Sequence, residues 1–346
     1  MRRRKSIVAL GASLALTLTL AACGDGGSDN RADVAAPTLS DSPELQQLVA
    51  DAKKDNCLTL YGVPDESTLK AVTAAFTKEY DIPVSFTRLV SADLSQRFST
   101  EAASGAPAAD VILLTHSPFY KDALAKGWLN PVDKAGVPAY PGTFPTGYTA
   151  DDGATPVVQL VATSLAYNSE LVKTAPDSWE DYADPAYKGE LLFAEPTSSP
   201  ANVAFWQLMR DTYGDDFLTK VAANKPKWYN SAVPATQAVA AGEGSLAFPG
   251  VTPIVNSLKG SGAPVELAKL SPTTGPEIAL GLTAKSKCPN AAKLFANYLL
   301  TEEGNTYLNK LSGDISPFAP NAKDFVRPKP VPDAQAQEIS RLLGAP

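Results

Sequence analysis

Three observations predict an α/β fold built as two lobes. A β-α-β-α-β-α alternation fills about 70 residues from Leu58 onward, the pattern of a parallel sheet with helices on its faces. A second strand and helix pattern opens at Val157. A late apolar and extended run, residues 278–284, then returns the chain to the first set, so two crossings would join the lobes as a hinge.

Taken in order, residues 1–5 (MRRRK) form a positive head, residues 7–20 are apolar, and Leu20-Ala21-Ala22-Cys23 closes the stretch with small residues. That is the layout of a secretory signal, and its apolar run is shorter than the ~20 residues that span a bilayer. The closing tetrapeptide resembles the lipobox of bacterial lipoproteins. The resemblance implies acylation of Cys23 and a stable two-chain anchor on the outer face of the cytoplasmic membrane. Residues 24–42 are small and polar and bury too little surface to offset their ordering entropy, so they read as a flexible tether. Export places Cys57 and Cys288 in an oxidising compartment, where such a pair commonly closes a disulfide; the alternative is two small buried thiols.

In the body, Ser42-Pro43-Glu44 reads as an N-cap, a first-turn proline and an acidic first turn, ahead of Leu45, Leu48, Val49 and Ala52 at helical spacing. Leu58 and Leu60 alternate with Thr59 and Tyr61 in a strand, a turn follows at residues 62–65, and Leu69, Val72 and Phe76 mark a helix to Tyr80. Residues 84–89 read as a strand, 92–103 as a helix, 110–114 as a strand and 117–126 as a helix. The turn-rich stretch 131–155 precedes a long strand pattern, 157–167, read as the crossing into the second lobe. That lobe continues with a strand at 191–194, a helix on Val203, Phe205, Trp206 and Met209, and a strand at 246–248. After the return, residues 289–300 form an amphipathic helix, and the proline-rich end of the chain should wrap the surface with one short helix near 334–343. The expected organisation is therefore signal peptide 1–22, lipid-anchored tether 23–42, lobe 1 over 43–156, lobe 2 over 157–277, and the second part of lobe 1 with a C-terminal wrap over 278–346.

Composition narrows the function. The 346 residues carry 30 basic and 37 acidic side chains, a net charge of −7, and without residues 1–22 the balance is 26 to 37. Such a chain lacks the basic stripe that displaces counterions from nucleic acid. One histidine and three scattered cysteines leave no multi-histidine metal site and no paired-cysteine zinc site, so metal chemistry would have to use oxygen ligands; no metal ligand is assigned and no cofactor is expected. A nucleophile elbow, a phosphate-cradling lysine loop and a dinucleotide fingerprint are all missing. Ser67-Thr68-Leu69-Lys70 matches the S-x-x-K of serine acyl-enzymes but lacks their companion motifs, since Ser28-Asp29-Asn30 falls in the tether and no K-T-G follows. The chain is expected not to be an enzyme.

Instead, strand ends repeatedly run into small polar residues at helix starts. Asp65, Glu66 and Ser67 follow the first strand, Ser91 the second, Thr115 and His116 the third, and Thr197, Ser198 and Ser199 a strand of the second lobe. Ligands of open α/β sheets bind beyond the carboxyl ends of strands, where free N–H groups at helix starts attract oxygen-rich groups. Each serine could equally cap its own helix; the case rests on several rims facing one gap.

Here the chain resembles the extracellular solute-binding proteins of ATP-driven importers, in the branch that binds ferric ion, thiamine and phosphonates. The resemblance is carried by LTLYGVPDESTLKAVTAAFTKEYDIPVSF (58–86), by Ala109-Asp110-Val111 with Gly127-Trp128-Leu129, and by Leu165-Ala166-Tyr167-Asn168. Ser178-Trp179, Asp184-Pro185, Tyr187-Lys188-Gly189-Glu190 and residues 238–243 (AVAAGE) extend it. It implies a two-lobed fold of the type II periplasmic-binding-protein kind, with parallel-rich sheets and a two-strand hinge. It implies also a monomer that takes a small solute between its lobes and docks an ABC permease in the membrane. Ferric binders of the branch carry tandem tyrosines after the Gly-Glu strand, where this chain reads Leu246-Ala247-Phe248-Pro249-Gly250, so the metal alternative loses its main ligands. The family-guided site consists of Ser67, Ser91 and Thr115 from the first lobe and Thr197, Ser198, Ser199 and Ser231 from the second. Asp65 or Glu66 would meet an amine, His116 is a further candidate, and Trp228, Tyr229 and Phe248 would form walls. That mix suits a small polar or oxyanion-bearing solute, phosphonate-like or aminoalkyl.

Overall fold

The computed structural model describes residues 42–346. The expected signal peptide, Cys23 and the expected tether up to residue 41 lie outside the described residues. No helix among the described residues is long and apolar enough to cross a membrane.

Helix α1 (Pro43–Asp55) starts as its sequence requires, with the Ser42 side chain accepting from the Leu45 amide at 3.1 Å. Strand β1 (Thr59–Gly62), α2 (Glu66–Tyr80), β2 (Ser85–Arg88), α3 (Ser91–Ala103), β3 (Val111–Thr115) and α4 (Pro118–Ala125) follow, then short β4 (Leu129–Asn130), β5 (Thr149–Ala150) and β6 (Thr155–Leu160). Second-lobe elements are β7 (Ser164–Asn168), β8 (Leu191–Ala194), α5 (Pro200–Tyr213), α6 (Asp215–Ala223), β9 (Lys227–Tyr229), α7 (Ala232–Ala240), β10 (Leu246–Gly250), α8 (Thr252–Gly260) and β11 (Val265–Ala268). The chain ends with β12 (Glu277–Thr283), α9 (Pro289–Leu300), α10 (Glu302–Ser312) and α11 (Asp333–Leu343).

The first lobe holds the order β2-β1-β3-β12-β6-β5, with β4 beside β12; the second holds β11-β7-β10-β8-β9. Both sheets are mixed. Pairs built by local β-α-β units, such as β1 with β2 and β3, or β8 with β9 and β10, are parallel, while β12 and β7, which arrive from the other lobe, pair antiparallel. Alternation along the strands fills a core on each face: Leu60, Val111 and Leu113 pack with α1, α2 and α9, and Tyr61, Ile112 and Leu114 pack with Leu94, Phe98 and Tyr120.

Cys57 and Cys288 are joined by a disulfide across 231 residues of sequence, Cα to Cα 5.9 Å. Beside it the buried Asp110 carboxylate accepts from the Thr59 amide at 2.8 Å, Ser286 Oγ at 2.7 Å and the Lys287 amide at 2.9 Å. Asp55 likewise caps α9, accepting from the Asn290 and Ala291 amides at 2.7 and 3.1 Å. Early and late segments of the first lobe are thus locked around one edge of the sheet.

Three expectations are corrected. The strand pattern 157–167 is two strands, β6 in the first sheet and β7 in the second, so the crossing falls at residues 161–163 and not at 157. The terminal helix α11 does not stay with the first lobe: Ile339, Leu342 and Leu343 join the core of the second, making residues 326–332 a third crossing. Finally, α10 follows α9 where no helix was expected.

The first two crossings are hydrogen bonded to each other. The Val161 amide donates to Pro276 O at 2.9 Å, the Thr163 amide to Thr274 O at 3.0 Å, and Thr273 Oγ1 to Thr163 O at 2.7 Å. They run so close that a Cβ on Gly275 would lie 2.1 Å from Val161 O. The third crossing is tied on by the Val326 amide, which donates to Thr273 O at 2.7 Å. Gly275→Ala should therefore part the crossing strands and lower stability by about 1–3 kcal/mol in a urea melt; an unchanged midpoint would show that the crossings separate without loss.

Candidate ligand cleft

A cavity of about 380 Å³ lies between the lobes, lined by Asp65, Pro276, Ser312, Asp314 and residues 161–163 on one side and by Ser198, Ser199, Ala201, Asn202, Ser231, Ala232 and residues 249–253 on the other. A second cavity of about 300 Å³ shares Ala162, Thr163, Thr252 and Asp314 with it and continues the gap toward Lys269 and Lys310. The crossing segments are therefore part of the cleft wall as well as of the hinge.

Three helix starts of the second lobe meet at the cavity. Ser199 caps α5, accepting from the Asn202 amide at 3.2 Å, while α7 and α8 begin at Ser231 and Val251 with no side-chain cap. Uncapped first-turn amides and the positive end of the helix dipole make a surface that favours an oxyanion. Pro200, Pro234 and Pro253 fit these first turns because their missing amides would have had no helical partner.

The first lobe presents carboxylates instead. Asp65 caps α2: it accepts from the Thr68 amide at 3.0 Å, from Thr68 Oγ1 at 2.6 Å and from Ser67 Oγ. Partial burial works against its charged form, but the bonds from Ser67 and Thr68 outweigh that and hold its pKa below the ordinary value. Asp314 follows the left-handed Gly313 that ends α10. Its Oδ2 accepts from Gln159 Nε2 at 3.0 Å, and the same nitrogen donates to Ser312 Oγ at 3.0 Å. Burial pushes Asp314 up to about 6; Asp65 adds repulsion, and Ser312, Lys269 and Gln159 oppose the rise.

Of the residues expected at the site, the cavity brings together Asp65, Ser198, Ser199 and Ser231. Ser67 spends its hydroxyl on Asp65, and Glu66 is exposed outside the lining. Ser91 and Thr115 bond each other at 2.8 Å. His116 Nε2 meets Asp151 Oδ2 at 3.1 Å, and its ring stacks on Tyr120 with centroids 5.7 Å apart. Thr197 is exposed, and Trp228 and Tyr229 are half-buried against second-lobe cores, none of them in the lining. Phe248 is corrected outright. It is fully buried, stacked on Phe205 at 4.5 Å and against Trp206 at 5.0 Å, so what β10 gives the cleft is its end, Pro249 and Gly250.

Sequence reasoning missed Asn202, residues 250–253, Ser312 and Asp314. The strand-to-helix step at Gly250-Val251-Thr252-Pro253 repeats the signal that singled out Ser199 and was open to the same argument. Asp314 carried no such signal, because it follows a helix that was not foreseen.

A two-lobed fold with a cleft at its hinge, carrying a few convergent polar groups, is a solute-binding architecture. The family model of bacterial extracellular solute-binding proteins matches residues 62–306, and the chain belongs to that family, which binds solutes and is not enzymatic. An uncharacterized protein of Haemophilus influenzae is 25% identical over 257 residues, covering 71% of this chain and 73% of its own. A putative 2-aminoethylphosphonate-binding periplasmic protein of Salmonella paratyphi A is 28% identical over 180 residues, 49% of this chain, so the match spans about half (50%) of that relative. Iron-bound HitA from Pseudomonas aeruginosa shares the fold, with a TM-score of 0.57 at 22% identity over 83% of this chain and 98% of its own.

The raised Asp314 pKa has a consequence for stability. A carboxyl that is harder to ionise in the fold than in the open chain contributes fully below the unfolded value near 3.9, and that contribution is lost as pH rises through about 6. Asp314→Asn should therefore raise ligand-free stability near neutral pH by about 1–2 kcal/mol, with the gain vanishing toward pH ~4. Urea midpoints of both proteins across that range check it; a destabilised variant at neutral pH would refute the assignment.

Proposed function

We propose that the protein captures a small aminoalkyl oxyanion, of the 2-aminoethylphosphonate class, between its lobes and delivers it to the permease of an ABC importer. The observation that carries this reading is the opposition within one cavity: three helix starts on the second-lobe wall face Asp65 and Asp314 on the first-lobe wall. A zwitterion with its oxyanion toward the helix starts and its ammonium toward the carboxylates satisfies both walls. A solute that touches both favours the closed arrangement by its differential contacts, and closure would be the signal the permease reads. The name of the Salmonella relative points the same way. A ferric ion fits less well, because the lining holds no tyrosine, histidine or cysteine.

Thermal melts test the reading. At a concentration about 100 times Kd, the bound state gains about 2.7 kcal/mol, so 2-aminoethylphosphonate should raise Tm by several degrees. No shift with phosphonates together with a shift on ferric citrate would replace the reading with the ferric one.

The lipobox-like Leu20-Ala21-Ala22-Cys23 further supports a mature protein acylated on Cys23 and held at the outer face of the cytoplasmic membrane. Cys23→Ser should move the protein from the membrane to the soluble fraction of expressing cells; unchanged membrane association would exclude the anchor.

A further inference from the structure

We propose that Asp314, oriented by Gln159, is the residue that makes the cleft select for an amino group, so that the protein discriminates aminoalkyl phosphonates from alkyl phosphonates. The inference rests on the proposed function and adds which residue sets the solute class.

The charged side chains lining the 380 Å³ cavity, among the described residues, are Asp65 and Asp314, and its lining holds no lysine or arginine; Lys269 and Lys310 line the adjoining one. An oxyanion without a positive group would bring its charge toward two carboxylates with only helix starts to hold it. A solute carrying its own ammonium removes that conflict. The two carboxylates are not equivalent. Asp65 is occupied by its own helix, taking bonds from the Thr68 amide, Thr68 Oγ1 and Ser67 Oγ. Asp314 takes a side-chain bond from Gln159 on Oδ2 with Ser312 beside it, caps no helix start, and lines the cavity.

The support under Asp314 is built into the sheet. Gln159 lies on β6, 1% exposed, and its Nε2 holds both Ser312 Oγ and Asp314 Oδ2 at 3.0 Å. Lys269, whose charge acts on Asp314, donates to Gly313 O at 2.8 Å. A half-buried carboxylate that burial holds toward its neutral form gains from a further cation, and an ammonium from the solute is such a cation. Gln159 acts as a positioning residue: it fixes the direction of the carboxylate without touching the solute.

Calorimetric titration of the purified protein with 2-aminoethylphosphonate, ethylphosphonate and ethanolamine tests this. The wild type should prefer 2-aminoethylphosphonate over both partial analogues. Asp314→Asn should weaken 2-aminoethylphosphonate about 10- to 100-fold, the range of a charged hydrogen bond, while ethylphosphonate binding stays level or improves. Gln159→Leu should show the same loss of selectivity to a smaller degree, a readout that a merely structural role would not produce, since that would weaken both phosphonates alike. A wild type that binds ethylphosphonate as tightly as 2-aminoethylphosphonate overturns the inference, as does a folded Asp314→Asn with unchanged selectivity; either result leaves phosphonate capture standing. A wild type that binds none of the three compounds overturns the proposed function and this inference with it.

Discussion

The close pairing of the two chain crossings is the constraint on which the rest of the structure depends. Val161 and Thr163 bond the carbonyls of Pro276 and Thr274, and only a residue without a Cβ fits at 275. Because these strands pass from one sheet to the other, each sheet receives one strand running against its neighbours, which is why both are mixed. The same segments, with Pro276, form part of the cavity wall. The backbone groups that join the lobes are thus also groups that line the cavity.

The walls divide the electrostatic work. The second lobe offers helix starts, whose partial charges are fixed by the backbone and need no titratable group. The first lobe offers two carboxylates whose surroundings push them in opposite directions: Asp65 is held down by its own helix cap, and Asp314 is pushed up by burial. A helix cap stabilises the fold whether or not solute is present. A half-buried carboxylate with a raised pKa does the reverse, since its ionisation near neutral pH costs stability that a bound cation would return. A group that destabilises the empty protein while facing a cavity is where function, rather than folding, accounts for the residue.

Much of this was legible in the sequence wherever local chemistry speaks for itself. Ser42, Asp65 and Ser199 announced helix starts by their own type and by the residues just after them; Ser42 caps as expected, and Asp65 and Ser199 cap their helices while lining the cavity. Cys57 and Cys288 were paired by compartment and number alone. Phe248 does not form a wall for a physical reason: it lies on a strand buried on both faces and has no outward face to give, and only the end of that strand reaches the cleft. Ser91, Thr115 and His116 sit at the right strand ends but use their polar atoms on one another or on Asp151, a matter of pairing that spacing cannot reveal.

The hidden part is α10. Its buried face is made largely of amides and glycine in place of aliphatic residues: Asn305 and Asn309 donate to Val158 O at 3.0 and 2.9 Å, and Gly304 packs so tightly that a Cβ would reach 1.8 Å from Tyr298 O. Apolar periodicity detects helices that bury hydrocarbon, and this one buries hydrogen bonds to the carbonyl of an adjacent strand. The reason is positional. β6 carries Val158 and Gln159 into the crossing, Asn305 and Asn309 hold the first, and the second holds Ser312 and Asp314 at the helix end. A helix packed by amides is set by directional bonds rather than by adaptable hydrocarbon contacts, so the carboxylate at its end inherits a defined direction into the cleft.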